Sequence, residues 1–122
     1  MTSRTILVVD DEPFICRSLT FVLRKDAYRV LEARNGEEAL AAIREHRPDL
    51  VFLDVMMPKI NGIQVTEQVR ADPELVNVKI ILLTARGQES DRELGKTAGA
   101  FDYMTKPFSP MKILERARQI LG

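Results

Sequence analysis

Five short apolar runs alternate along this chain with five helical patterns, and that alternation constrains the fold more than any other feature. The runs are Thr5–Val9, Arg29–Ala33, Leu50–Leu53, Lys79–Thr84 and Phe101–Met104. Within them ILVV, LVFL and IILL are continuous rather than alternating, as expected of strands covered on both faces. Between the runs, helical spacing links Ile15, Leu19, Val22 and Leu23, then Gly36, Leu40 and Ile43. It links Val65 with Val69 and Leu94 with Ala98, and the last helix carries Ile113, Leu114, Ala117, Ile120 and Leu121 on one stripe. Breakers separate the segments at Asn35-Gly36, Pro48, Pro58, Asn61-Gly62, Pro73 and Gly99, and Ser109-Pro110 reads as a cap followed by a first-turn proline. The pattern predicts a single α/β domain over residues 1–122, a doubly wound parallel sheet with helices on both faces.

A chain of 122 residues can bury a real core, and 45% apolar with 30% charged residues is ordinary for a soluble globular domain. Eighteen basic residues balance eighteen acidic ones, so net charge points to neither nucleic acid nor anionic membrane as a partner. The basic residues read as scattered, without interleaved aromatics. The lone Cys16 excludes an internal disulfide and any multi-cysteine metal site, and reads as a small buried hydrophobe. The only histidine, His46, falls at a helix C-terminus, where its charge suits the helix dipole. Without a signal peptide or an apolar run near membrane-spanning length, the expected location is the cytoplasm.

Ligands of open α/β sheets bind beyond the carboxyl ends of the strands. The first strand ends in Asp10 and Asp11, the third in Asp54, the fourth in Thr84, and Lys106 lies just beyond the fifth. Two carboxylates ~4 Å apart repel by about 4 kcal/mol at an effective dielectric near 20. Three would raise one another's pKa values unless a cation were present. An oxygen-only set suits a hard divalent ion, with Mg²⁺ the expected one, and three carboxylates, one lysine and one divalent cation sum to zero charge. Relief of that repulsion predicts that Asp10→Asn or Asp11→Asn stabilises the metal-free protein.

The segments LVVDDEP, LVFLDVMMPKINGI, IILLTA and AFDYMTKPF, in this order and spacing, resemble the receiver domain of two-component response regulators over essentially the whole chain. The resemblance implies a flavodoxin-like, five-stranded sheet in the order 2-1-3-4-5 with five helices. It implies a phosphoryl-accepting switch in which Asp54 takes the group from a phosphohistidine on a sensor histidine kinase or a histidine phosphotransfer protein. Asp11 would bind Mg²⁺ directly, Asp10 largely through water, and Asp54 and the Met56 backbone carbonyl would complete the protein ligands. Lys106 would pair with the acyl phosphate, and Thr84 would donate its hydroxyl to a phosphoryl oxygen. Tyr103 matches the switch aromatic, which turns inward as Thr84 moves. The face of the fourth helix, fifth strand and fifth helix would then signal to a downstream protein or output domain, or form a phosphorylation-dependent homodimer. Pro107 matches a position where the family carries a cis peptide.

Such a domain modifies itself and turns over no external substrate. Neither Met56 nor Arg86 offers a carboxylate or amide to orient water, so self-dephosphorylation is expected to be slow. Other readings are the receiver part of a longer regulator with an output domain beyond residue 122, and an aspartyl-phosphate hydrolase of the haloacid-dehalogenase type. The hydrolase needs a second Asp at the position of Met56. GQESDRELGKT, residues 87–97, imitates a phosphate-binding loop, but Ser90 stands where its first glycine belongs. Gly95 is then an unexplained glycine within a helix, read as a source of pliability.

Overall fold

The computed structural model describes residues 3–85, 89–106 and 109–122. Strands β1 (Thr5–Val9), β2 (Arg29–Ala33), β3 (Leu50–Asp54), β4 (Lys79–Thr84) and β5 (Asp102–Thr105) alternate with helices α1 (Pro13–Lys25), α2 (Gly36–His46), α3 (Gly62–Arg70), α4 (Glu89–Ala98) and α5 (Pro110–Leu121). A short 3₁₀ turn, Pro73–Leu75, leads into β4. The five strands form one parallel sheet in the order β2-β1-β3-β4-β5. This is the flavodoxin-like architecture expected above.

Side chains of the central strands divide between two apolar layers, because successive residues of a strand point to opposite faces. Leu7, Val9, Val51, Leu53, Ile80 and Leu82 face α2 and α3 through Leu40, Ile43, Val65 and Val69. Ile6, Val8, Leu50, Phe52, Ile81 and Leu83 face α1 and α5 through Leu19, Leu23, Ile113 and Ala117. Both layers being apolar, the strands read as unbroken hydrophobic runs.

Local chemistry starts the helices where the sheet needs them. Asn35 accepts from the Glu38 N–H at the start of α2, and Asn61 and Gln64 form a reciprocal capping box on α3. Ser109 accepts from the Lys112 N–H with Pro110 in the first turn of α5. Gly62 has a second duty, since a Cβ there would lie 2.5 Å from the Asp54 carbonyl oxygen. Only glycine lets α3 begin this close to the end of β3.

The structure corrects two details. The fifth strand runs over Asp102–Thr105 rather than Phe101–Met104: Phe101 donates its N–H to the Ile80 carbonyl, but its side chain is half exposed. In α4 the face against the sheet is marked by Gly95 rather than by Leu94, which is 55% exposed. A Cβ on Gly95 would sit 2.4 Å from Leu82 Cδ1. Close approach of helix to strand is the physical reason for this glycine.

Candidate functional site

Sheet register assembles the site. Val9 pairs with Leu53, so the next residues of the two strands, Asp10 and Asp54, emerge side by side. Asp54 lies level with Leu83, which sets Thr84 one residue further out on the neighbouring strand. Thr84 pairs with Thr105, and the Lys106 N–H donates to the Thr84 carbonyl at 2.7 Å, so Lys106 is the first residue past that edge. Four strands thus deliver Asp10, Asp54, Thr84 and Lys106 to one rim, with Asp11 beside them at the entrance to α1.

Asp10, Asp54 and Thr84 are all at most 4% exposed, whereas Asp11 is exposed. Lys106 Nζ lies 3.1 Å from Asp10 Oδ2 and 3.4 Å from Asp54 Oδ2. The second oxygen of Asp10 accepts from the Glu12 N–H at 2.9 Å, and Asp54 Oδ1 accepts from the Met56 N–H at 3.2 Å. Among the described residues the Thr84 hydroxyl makes no hydrogen bond. Cys16 donates its thiol to the Asp10 carbonyl at 3.4 Å, and burial pushes that thiol up to about 11, so it acts as packing and not as a nucleophile.

The electrostatics concentrate on Asp54. Burial is the main cause that raises its carboxyl to about 6, and the charge of Asp10 adds to it, against the opposing pull of Lys106 and the Met56 N–H. Burial also works against the Lys106 ammonium, but Asp54 and Asp10 outweigh it and its net shift is upward. A ligand oxygen from each of Asp10, Asp11 and Asp54 falls within 4.8 Å of the others, the one such metal-sized cluster among the described residues. With two buried carboxylates and one exposed, all-oxygen and short of positive charge, this donor set fits a small hard cation.

Tyr103 is half buried on β5, opposite Leu82, and packs on the α2/α3 layer. The Arg92 guanidinium of α4 lies over its ring, 4.0 Å from the centroid. Sequence reasoning missed Arg92, since no local pattern links a helix residue to an aromatic on the next strand. It also missed the exposed strip of α1, where Phe14 and Phe21 alternate with Arg17 and Arg24 and Lys25 lies over the Phe21 ring. Met56 is 61% exposed beside the cluster. Arg86 and Pro107 lie outside the described residues.

A doubly wound parallel sheet with clustered carboxylates, a lysine and a threonine on its carboxyl rim defines a flavodoxin-like domain with a receiver-type acidic site. Comparison with known proteins makes this specific: residues 6–118 match the response regulator receiver domain, and the chain belongs to that family, the receivers of two-component systems. It is 45% identical over 119 residues to the alkaline phosphatase synthesis transcriptional regulatory protein PhoP of Bacillus subtilis, covering 98% of this chain and 49% of that protein. It is 40% identical over 117 residues to protein PilH of Pseudomonas aeruginosa, covering 96% of this chain and 97% of that one. The chain therefore spans about half the length of several curated relatives and nearly the whole of another. A solved putative response regulator from Chloroflexus aurantiacus superposes with a TM-score of 0.90 at 39% identity, covering 98% of each chain. Among the described residues no helix is long and apolar enough to cross a membrane.

Proposed function

We propose that Asp54 is the phosphoacceptor of a cytoplasmic two-component switch, and the observation that carries this is its setting. It is a buried carboxylate at a strand end, beside a second carboxylate and within 3.4 Å of a lysine ammonium. An Asp54 oxygen attacks phosphorus, the bond from phosphorus to the donor's histidine nitrogen breaks, and the imidazole leaves with its electron pair. Mg²⁺ held by Asp11, Asp54 and the Met56 carbonyl, with Asp10 behind through water, would supply the charge neutralisation that brings a phosphoryl group up to this acidic rim. The exposure of Asp11 supports its direct role. Both oxygens of Asp10 being engaged by Lys106 and the Glu12 N–H supports its outer one.

Lys106 then pairs with the acyl phosphate by a charge-assisted hydrogen bond. The Thr84 hydroxyl turns to a phosphoryl oxygen, and Tyr103 moves inward into the space released. The altered face of α4, β5 and α5 carries the signal to a downstream protein or output domain, or to a second phosphorylated copy. The phosphodonor is a sensor histidine kinase or a histidine phosphotransfer protein. Phe14 and Phe21, 80% and 62% exposed at two-turn spacing on α1 next to the acidic cluster, support a protein docking there. A hydrolase is disfavoured because exposed Met56 stands where its acid/base carboxylate would be, and for the same reason the acyl phosphate is expected to last longer than seconds.

Intact-mass analysis with Mg²⁺ and acetyl phosphate tests the reading. A gain of about 80 Da, one phosphoryl group, is expected and should vanish with Asp54→Asn. No gain, or a gain that survives the substitution, overturns it.

A further inference from the structure

We propose that Arg92 is a latch on Tyr103: its guanidinium, stacked on the ring, holds Tyr103 at the α4 surface and sets how much of the unphosphorylated chain already occupies the inward state. The inference rests on the switch reading above and adds to it a residue that sets the resting balance.

Three observations place Arg92 there. Its Cζ lies 4.0 Å from the Tyr103 centroid, a stacking distance for a planar guanidinium. Gly95, one turn further along α4, is pressed against Leu82, and Leu82 is the β4 partner of Tyr103 in the sheet register. The helix is thereby held close enough to β5 for Arg92 to reach the ring. A cleft of about 360 Å³ beside the ring is lined by Leu82, Gly95, Lys96 and Phe101 together with Arg92 and Tyr103 themselves, so the stacked pair forms part of its wall. The nearby carboxylate of Asp102 is taken up by Arg116 of α5. Arg92 is itself exposed and forms no part of the acidic rim.

The consequence follows from population arithmetic. A contact biases a two-state equilibrium only if it differs between the states; Arg92 stacks on the half-buried ring in this structure, and the latch requires that turning the ring inward breaks that stacking. An exposed cation–π contact corresponds to roughly a two- to five-fold bias. Removing it raises the inward fraction by that factor, and a ligand selective for the inward state gains the same factor in apparent affinity.

The test uses the full chain with Mg²⁺, titrated with beryllofluoride as the phosphoryl mimic and followed through the amide resonances of β5 and α4. Arg92→Ala is expected to tighten apparent binding roughly two- to five-fold. It should also move the mimic-free resonances toward their bound positions, with Arg92→Lys falling between. Loss of a positive charge alone would weaken binding of an anion, so the direction separates the latch from a bulk charge effect. In a Tyr103→Ala background, Arg92→Ala should change nothing. Unchanged or weakened binding on Arg92→Ala, or equal tightening without Tyr103, overturns the latch while leaving the switch standing. If beryllofluoride moves no resonance of the unsubstituted chain, the switch reading fails and the latch with it.

Discussion

Asp10 and Asp54 share one ammonium on a largely buried rim, and burial governs the charge of Asp54. In the metal-free protein the Asp54 carboxyl titrates near 6 against an ordinary 3.8, chiefly because burial disfavours its charge. A folded value above the unfolded one means that the native chain binds this proton more tightly. Its contribution is fully present below 3.8 and is lost as pH rises through about 6. The amount lost is on the order of 2–3 kcal/mol. Asp54→Asn should therefore stabilise the metal-free protein at pH 7.5 by about that much in urea melts, and the difference should close by pH 4; a gap independent of pH would contradict this. Asp10 and Asp11 also part company. Asp10 is fully buried and holds Lys106 with one oxygen and the Glu12 N–H with the other, so Asp10→Asn should cost about 1–2 kcal/mol. Asp11 is exposed, and Asp11→Asn should leave the metal-free fold nearly unchanged. For Asp10, whose contacts to Lys106 and the Glu12 N–H the substitution would weaken, the expected sign is therefore opposite to simple relief of repulsion.

At the scale of elements, α4 lies closest to its strand at a glycine. Alanine at position 95 would gain up to about 1 kcal/mol of helix propensity. Its Cβ, however, would meet the buried Leu82 side chain at 2.4 Å. Pressing an extra methyl against a buried side chain costs about 1–3 kcal/mol, so Gly95→Ala should be net destabilising by about 1 kcal/mol in a denaturant titration. A stabilised variant would show that Leu82 yields freely and that Gly95 serves pliability instead. The end of α4 is closed by Gly99 at φ +103°, whose N–H and that of Ala100 reach back to the Lys96 and Gly95 carbonyls. Helix, capped turn and β5 thus succeed one another with little slack, which suits a segment that carries Arg92 at one end and Tyr103 at the other.

For the whole molecule, metal binding at the acidic rim, as proposed, would be linked to stability. A ligand that binds only the folded chain stabilises it by mass action, about 2.7 kcal/mol at a hundred times its dissociation constant. Millimolar Mg²⁺ should raise the melting temperature by several degrees, EDTA should reverse this, and Asp11→Asn should abolish most of the gain. An Asp11→Asn protein that still responds fully to Mg²⁺ would remove Asp11 from the ligand set. How much of this molecule could be read in its residues depends on range. Strand and helix identity follow from apolar periodicity and caps, which are local, so the residues at the rim were legible from ILVV, LVFL, IILL and their terminal Asp and Thr, whereas the sheet order followed only from the family resemblance. The misplaced first residue of β5 and the Leu94 face of α4 were not, because a short half-covered strand and a helix docked through a glycine lack a strong apolar signature. By itself, the sequence determined the order of elements and the chemical types gathered at one edge of the sheet. Only the tertiary structure decided which Asp10 oxygen meets Lys106, why burial loads its charge penalty on Asp54, and that Arg92 covers Tyr103. Those outcomes depend on packing distances between residues far apart in the chain.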